Sequence, residues 1–186
     1  MELPGFNHNM VGEQTKKIGI LGGSFDPPHK GHLQISKLAL KKLFLDEVYW
    51  CITKKNPLKN KAFFSLSERI KKSKAIINKE KKIKIKFFED KIKSTNTISL
   101  LKYLKKKRSK DFFFLIIGSD NLIEFHKWKN WKLLPKLAKI VVFSRKDYDK
   151  NAKKSVTIKQ VKKILFIRNK HINISSTQIK KNYHKT

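Results

Sequence analysis

Two histidines stand three residues apart at the end of a glycine- and proline-rich segment, residues 22–32 (GGSFDPPHKGH). A short apolar run at 18–21 precedes the segment and predicts a β-strand, and residues with the apolar period of a helix follow it. A helix N-terminus offers unpaired N–H groups and the positive end of the helix dipole, which attract phosphate. His29 and His32 can add hydrogen bonds as charge develops on a phosphoryl group. The order of these residues therefore predicts a site for chemistry on phosphate.

The other residues of this segment shape the loop. Gly22 and Gly23 let the backbone turn sharply and lie close to a ligand. Pro27 and Pro28 stiffen the connection and delay the helix. We interpret Asp26 as a carboxylate that braces the loop, because Asp commonly hydrogen-bonds to backbone N–H groups nearby. Neither G-x-G-x-x-G nor G-x-x-x-x-G-K-[ST] is present here, so two common phosphate loops are excluded.

The composition predicts one globular domain. The chain has 186 residues, of which 39% are hydrophobic, and this is enough for a single core. Residues 1–16 show little periodicity, so we expect a disordered N-terminal extension before a single domain at 17–186. The one cysteine, Cys51, lies in an apolar run and is predicted to be a core residue. A single cysteine excludes a disulfide framework and suits a reducing cytoplasm. No apolar run approaches a membrane span, and no signal peptide is recognisable.

The net charge of +31 has two interpretations. Strongly basic chains often bind nucleic acid. However, only four of the 45 basic residues are arginines, which nucleic-acid interfaces favour, and the lysines are spread along the chain. We therefore expect no specific nucleic-acid partner, and we expect the charge to attract anionic nucleotides in a salt-dependent way. The alternative from a different class is a basic nucleic-acid-binding or nucleotide-sensing protein, which predicts charge clustered on one face.

Strands and helices alternate along the chain. Apolar or alternating runs predict strands at 18–21, 47–53, 83–88, 112–117 and 140–143, with one more within 161–167. Helices are predicted between them, with capping boxes at Ser65 and Glu68 and at Ser175 and Gln178, and a further cap within 94–97. This alternation predicts an α/β fold, a Rossmann-like doubly wound parallel sheet, with 112–117 near its centre.

Segment 22–32 resembles the G-G-x-F-D-P-x-H-x-G-H signature of the nucleotidyltransferase superfamily. Two further motifs narrow the resemblance to bacterial nicotinate-nucleotide adenylyltransferases. One is Gly118-Ser119-Asp120 followed by Trp128, and the other is segment 174–180 (ISSTQIK), which matches Ile-Ser-Ser-Thr-x-Ile-Arg except at its end. Phosphopantetheine adenylyltransferases usually lack the first histidine, and cytidylyltransferases end in a different motif. Both relatives therefore resemble this chain less.

The resemblance implies transfer of AMP from ATP to nicotinate mononucleotide, which gives deamido-NAD and pyrophosphate in NAD biosynthesis. The acceptor phosphate is already anionic, so the reaction needs positioning and charge neutralisation and no general base. Mg²⁺ is expected to bind through the ATP phosphates. A related adenylyltransferase acting on nicotinamide mononucleotide or phosphopantetheine remains the alternative within this chemistry, and a homo-oligomer remains possible.

The resemblance also implies which residues form the site. The catalytic residues would be His29, His32 and Lys59. Those that would bind ATP are Gly22, Gly23, Ser24, Phe25, Gly31, His32, Gly118, Asp120, Ile174, Ser176, Thr177 and Lys180. Those that would bind nicotinate mononucleotide are Thr97, Trp128 and Arg145, whereas Trp131 is expected in the core. Lys180 stands where the family has Arg, so the charge is kept but the bidentate fork is lost.

Overall fold

A six-stranded parallel sheet forms the centre of the computed structural model, which describes residues 14–54, 62–169 and 176–183. Its strands are β1 Lys17–Gly23, β2 Glu47–Ile52, β3 Ile83–Lys86, β4 Phe112–Gly118, β5 Lys139–Phe143 and β6 Ile164–Ile167. They lie in the order β3-β2-β1-β4-β5-β6, and each neighbouring pair is parallel. The chain therefore changes direction across the sheet between β1 and β4, and such a switch point opens a crevice at the C-terminal ends of the strands.

The predicted strands are confirmed, and their ends differ from the predicted ones by at most two residues. The apolar strand β4 lies between β1 and β5, inside the sheet, as expected. Strand β3 ends at Lys86, two residues before its predicted end at 88. The reason is local, because Phe88 already adopts helical backbone angles as the N-cap of the next helix.

Helices cover both faces of the sheet. They are α1 Lys30–Lys42, α2 Leu66–Ile77, α3 Glu89–Ile92, α4 Thr97–Lys107, α5 Ser119–Glu124, α6 Leu134–Leu137, α7 Asp149–Lys153, α8 Val156–Gln160 and α9 Ser176–Tyr183. Helix α1 packs on β1, β2 and α2, whereas α5 and α6 pack near β4 and β5 together with α4. In the described ranges, no helix combines the length and the apolar character that a membrane span requires.

Alternate residues of the strands pack into two separate hydrophobic layers. In β1, Ile18 and Ile20 join the layer that contains Leu101, while Leu21 joins the layer that contains Ala39. Because both faces are covered, the central strands are apolar runs without a polar face. Cys51 belongs to the first layer, as predicted. Burial raises the pKa of its thiol to about 12, so it is protonated and unreactive at neutral pH.

The chain joins the sheet one residue before β1. The Lys16 backbone N–H donates to the Asp111 carboxylate at 2.9 Å, and the Lys16 carbonyl accepts from the Phe112 N–H at 2.9 Å. Residues 1–13 lie outside the described ranges, so the N-terminal extension stays a prediction.

The structure confirms a predicted side-chain cap at α2 but shows none at α4. At α2, Ser65 Oγ accepts from the Glu68 N–H at 3.2 Å and the Glu68 carboxylate accepts from the Ser65 N–H at 2.8 Å, which confirms the capping box. At α4 the N-cap is Asn96, but its side-chain amide donates to Ser94 Oγ at 3.2 Å and makes no cap bond to the helix. The N-cap therefore lies within the predicted segment 94–97, but it makes no side-chain bond to the helix, because Asn96 is satisfied locally. The predicted cap at Ser175 lies outside the described residues.

A buried hydrogen-bond chain fixes α1 on β2. Trp50 Nε1 donates to Ser36 Oγ at 2.7 Å, and Ser36 Oγ donates to the His32 carbonyl at 2.8 Å. Both Trp50 and Ser36 are fully buried. Removing the serine hydroxyl would therefore leave an indole N–H unpaired in the core.

We expect Ser36→Ala to lower the free energy of unfolding by about 1–3 kcal/mol, the typical penalty for an unsatisfied buried donor. Urea unfolding measures the change. Ser73→Ala is the matched control, because Ser73 is a buried helical serine whose Oγ has no hydrogen-bond partner among the described residues. Equal changes in the two variants would contradict the structural role of the Trp50 hydrogen bond.

Candidate active site

A cavity of about 690 Å³ lies at the C-terminal edge of β1 and β4, where the strand order reverses. The loop after β1 and the N-terminus of α1 form one wall. Residues before α4 and after β4 and β5 form the opposite wall, and α9 contributes residues from the end of the chain. The doubly wound sheet thus brings together segments that are far apart in sequence.

The described residues predicted for the site all line this cavity. They are Gly22, Gly23, Ser24, Phe25, His29, Gly31, His32, Thr97, Gly118, Asp120, Trp128, Arg145, Ser176, Thr177 and Lys180. Lys59 and Ile174 lie outside the described residues. The individual roles of these residues in binding or catalysis stay predictions.

The two histidines form a capping box at the start of α1. His29 is the N-cap, and its Nδ1 accepts a hydrogen bond from the Gly31 N–H at 3.1 Å. His32 Nδ1 accepts one from the His29 N–H at 3.2 Å. A ring nitrogen that accepts from an N–H carries no proton, so the proton of each neutral ring is on Nε2. The helix backbone therefore selects the tautomer in which Nε2–H is the donor.

His29 is uncharged at neutral pH. Burial, together with the smaller effect of the nearby positive charge of Arg145, lowers the pKa of its ring to about 4. The ring centres of His29 and His32 are only 3.9 Å apart, a distance at which two imidazolium ions would repel each other. His29 therefore offers a hydrogen bond to an anion without adding charge.

Phe25 combines a buried ring with a left-handed backbone. Its ring is 2% exposed, stacks on Trp50 with centroids 4.9 Å apart, and lies 4.7 Å from the His32 ring. Its φ of 48° is unusual for a bulky residue. The ring is therefore part of the core, while the residue still contributes to the wall of the cavity.

Asp26 braces the loop, as interpreted from the sequence. Its carboxylate accepts from the N–H groups of Phe63 at 2.8 Å and Phe64 at 2.9 Å, and it pairs with Lys180 Nζ at 3.1 Å. Burial raises the pKa of Asp26, but these hydrogen bonds and the ammonium charge outweigh it, so the pKa lies below its ordinary value. The partners lie just before α2 and in α9, not in its own loop.

Helix α9 is held on the same loop by two contacts. Besides the Lys180 ion pair, Ser176 Oγ donates to the Pro27 carbonyl at 2.8 Å. A long-range contact of this kind places the first turn of α9 beside the histidine loop.

Arg145 and Trp128 occupy the opposite wall. Arg145 Nη1 pairs with the Asp120 carboxylate at 2.6 Å, and the Arg145 N–H donates to Ser119 Oγ at 2.9 Å. The Trp128 ring lies 5.0 Å from that of Phe125 and borders the cavity. Trp131 also packs on Phe125 but does not border the cavity, in agreement with its predicted core position.

The carboxylates of the cavity are already engaged. Among the described residues that line it, Asp26 pairs with Lys180, Asp120 with Arg145 and Glu124 with Lys127, while Glu89 accepts from the Lys54 N–H at 2.9 Å. No three His, Cys, Asp or Glu side chains converge in the part of the chain that the structure describes. The side chains of the described residues therefore do not form a protein-held Mg²⁺ site.

Arg69, in α2, was missed in the sequence analysis. Its guanidinium is buried and donates from Nη1 to the carbonyls of Ser24 at 2.6 Å and Thr53 at 2.7 Å. The available signal was that an arginine is rare in this lysine-rich chain, and that Arg69 stands beside Ile70 in a predicted helix. The rarity of arginine does not reveal which carbonyl groups accept hydrogen bonds from Arg69.

Comparisons with known proteins identify the family of this chain. A family model described as cytidylyltransferase-like matches residues 20–182. A curated relative from Pelagibacter ubique (strain HTCC1062), named "Probable nicotinate-nucleotide adenylyltransferase", is 49% identical over 93% of this chain and 97% of its own length. The chain belongs to the nicotinate-nucleotide adenylyltransferase family. The resemblance inferred from the motifs is thereby confirmed.

Further members of this adenylyltransferase family are similar in sequence or fold. A relative of the same name from Ruegeria sp. (strain TM1040) is 39% identical over 69% of this chain and 67% of its own length. The solved structure of Plasmodium falciparum nicotinic acid mononucleotide adenylyltransferase complexed with NaAD has a TM-score of 0.76. It covers 89% of this chain and 83% of that one at 24% identity, so this likeness shows the shared fold.

The lowered pKa of His29 predicts a specific loss of stability in acid. Between pH 6.5 and about 4 the unfolded His29 takes up a proton and the folded one does not, so unfolding becomes more favourable as pH falls. We expect wild type to lose about 1 kcal/mol more than His29→Asn between pH 7 and pH 4.5, after allowing for partial exposure of the ring.

Urea unfolding of both proteins at the two pH values measures this difference. The Asn variant keeps a side chain that can cap α1 but has no titratable group at this position. A wild-type–variant difference that is the same at both pH values would contradict a neutral His29 in the folded protein.

Proposed function

We propose that the protein transfers AMP from ATP to nicotinate mononucleotide, producing deamido-NAD and pyrophosphate. One observation carries this function: a histidine pair, fixed by the helix backbone as Nε2–H donors, stands at the N-terminus of α1 in a cavity shared with α4 and α9. Donors at a helix N-terminus favour charge that develops on a phosphoryl group.

The reaction requires no proton transfer by the protein. A phosphate oxygen of nicotinate mononucleotide forms a bond to the α-phosphorus of ATP, and the bond from that phosphorus to the bridging oxygen breaks. Pyrophosphate leaves with the electron pair. His29 and His32 donate to oxygens of the α-phosphate, and the N-terminus of α1 adds its dipole. Because the histidines act as donors, they need no change of protonation state during the reaction.

The ATP side of the cavity is formed by the loop after β1 and by the end of β4. A side chain at Gly22 would meet nothing within 4 Å, so the glycine leaves open space beside the loop for the adenosine. At Gly118 an added Cβ would lie 2.4 Å from Asp120 Oδ1, so the glycine keeps that carboxylate in place near the ribose. Ser176, Thr177 and Lys180, together with Lys59, contact the outer phosphates in this proposal.

The acceptor side lies at α4 and Trp128. Because Asn96 makes no side-chain cap, the first-turn N–H groups of α4 near Thr97 are available for the nicotinate carboxylate. Trp128 stacks on the pyridine ring, and Arg145 contacts phosphate. Mg²⁺ bound to the ATP phosphates would supply positive charge for the pyrophosphate. We propose the cytoplasm as the location, which suits the reduced, buried Cys51.

Pyrophosphate release with ATP and Mg²⁺ tests the function directly. Nicotinate mononucleotide, nicotinamide mononucleotide and phosphopantetheine are offered in parallel at equal concentration. We expect the first to be preferred by at least about tenfold in kcat/KM, or about 1.4 kcal/mol, because its carboxylate matches the N-terminus of α4. Turnover with phosphopantetheine alone, or none at all beside salt-sensitive RNA binding, would contradict the proposal.

The tautomer assignment predicts that the contribution of His29 to stability and its contribution to activity can be separated by mutation. Asn at an N-cap supplies an acceptor for α1, so His29→Asn should unfold with a free energy within about 0.5 kcal/mol of wild type at pH 7. Its short amide does not replace Nε2–H, so kcat should fall about a hundredfold, or about 3 kcal/mol. His29→Ala should lose the same activity and about 1 kcal/mol of stability as well. Steady-state kinetics and urea unfolding measure both; full activity in the Asn variant would exclude the Nε2 role.

A further inference from the structure

Arg69 is the largest buried polar side chain near the cavity, with 2% of its surface exposed. Its guanidinium donates four hydrogen bonds, all to backbone carbonyls. Nη1 donates to Ser24 and Thr53, Nη2 to Lys54 at 3.2 Å, and Nε to Phe64 at 3.1 Å. In the described part of the chain no carboxylate forms an ion pair with it. A buried charge is unfavourable unless such partners satisfy it, and only the planar fork of Arg can reach several carbonyls at once.

These carbonyls belong to three separate segments that meet at the site. Ser24 lies in the loop after β1, Thr53 and Lys54 lie at the C-terminal end of β2, and Phe64 directly precedes α2. Arg69 is therefore the common point to which the histidine loop and its two neighbours are attached.

The strained residue Phe25 lies directly after one of these contacts. Its φ of 48° is in the left-handed region, which is unfavourable for a bulky side chain. The Ser24 carbonyl before it is held by Arg69, and the Asp26 carboxylate after it is held by the N–H groups of Phe63 and Phe64. Phe64 thus contacts Asp26 through its N–H and Arg69 through its carbonyl. The turn at Phe25 is fixed from both sides.

The contact between Arg69 and Ser24 also sets the direction of the next peptide group. In a trans peptide the carbonyl and the N–H point in opposite directions. The Ser24 carbonyl points to Arg69, so the Phe25 N–H points away from Arg69. Rotation of this peptide would also shift the Phe25 ring, which contacts His32.

We propose that Arg69 is a positioning residue for adenylyl transfer, which holds the left-handed turn at Phe25 and thereby the loop that carries the histidine pair. This inference rests on the proposed function, because the loop is assumed to bind the reacting phosphates. Arg69 itself touches no substrate.

Arg69→Lys tests the proposal, with Arg108→Lys as the matched control. Arg108 also makes a partly buried contact, with Asp111, but it lies at the opposite edge of the sheet, before β4. Both variants are compared with wild type by melting temperature and by kcat and KM per folded molecule. We expect Arg69→Lys to lower kcat at least about tenfold while KM for nicotinate mononucleotide stays within about threefold, because misplacement of the reacting groups mainly slows the chemical step. We expect Arg108→Lys to lower the melting temperature with kcat unchanged.

A kcat equal to wild type in folded Arg69→Lys, with only a lowered melting temperature, would show a merely structural role and overturn the proposal. Wild type that releases no pyrophosphate would overturn the proposed function and this inference together, which distinguishes the two failures.

If Arg69→Lys does not fold, NMR of the wild-type guanidinium group tests the proposal instead. We expect separate, slowly rotating Nη–H signals with and without a non-hydrolysable ATP analogue. Averaging of these signals when the analogue binds would show that Arg69 releases the loop.

Discussion

Helix α1 begins with two imidazole nitrogens that accept hydrogen bonds from its own first turn, and the candidate site depends on this arrangement. Because Nδ1 of His29 and of His32 accepts from the backbone, the proton of each neutral ring is on Nε2. The helix gains a cap and the site gains two oriented donors from the same bonds. The arrangement also requires that His29 stays neutral, and burial lowers its pKa accordingly. Positive charge at the cavity then comes from lining lysines, from Arg145 and from helix dipoles.

Features set by local sequence could be predicted, and features set by contacts between distant segments could not. The apolar runs predicted the strands, and the glycine-rich turn with His29 and His32 predicted the cavity wall, because each pattern lies within a few neighbouring residues. The hydrogen bond between Arg69 and Ser24 joins residues 45 positions apart. The hydrogen-bond donors to Asp26 lie 37 and 38 positions away from it. The spacing of apolar residues along the sequence does not predict such long-range pairs. At α4 the local sequence located the N-cap, Asn96, but not the absence of its side-chain cap bond, because that amide donates to Ser94.

The basic composition makes the few arginines informative. Lysine supplies nearly all of the positive charge, and only four of the 45 basic residues are arginines. Arg69 reaches four carbonyls, Arg108 pairs with Asp111, and Arg145 pairs with Asp120. Arg69 uses all three nitrogen atoms of its planar group, an arrangement that an ammonium cannot replace. Lysines elsewhere need only carry charge, which attracts anionic substrates in a salt-dependent way.

At position 180 this chain has a lysine where the family has an arginine. The family motif ends in Arg, and a bidentate fork would orient itself on a carboxylate, whereas an ammonium is a point charge. In this chain Asp26 does not depend on its cationic partner for orientation, because the N–H groups of Phe63 and Phe64 already fix both carboxylate oxygens. Lys180 pairs with Asp26 through one N–H at 3.1 Å, and in the proposed function its other two donors would contact phosphate. The orientation that the fork would supply is provided here by the backbone before α2, which Arg69 holds through the Phe64 carbonyl.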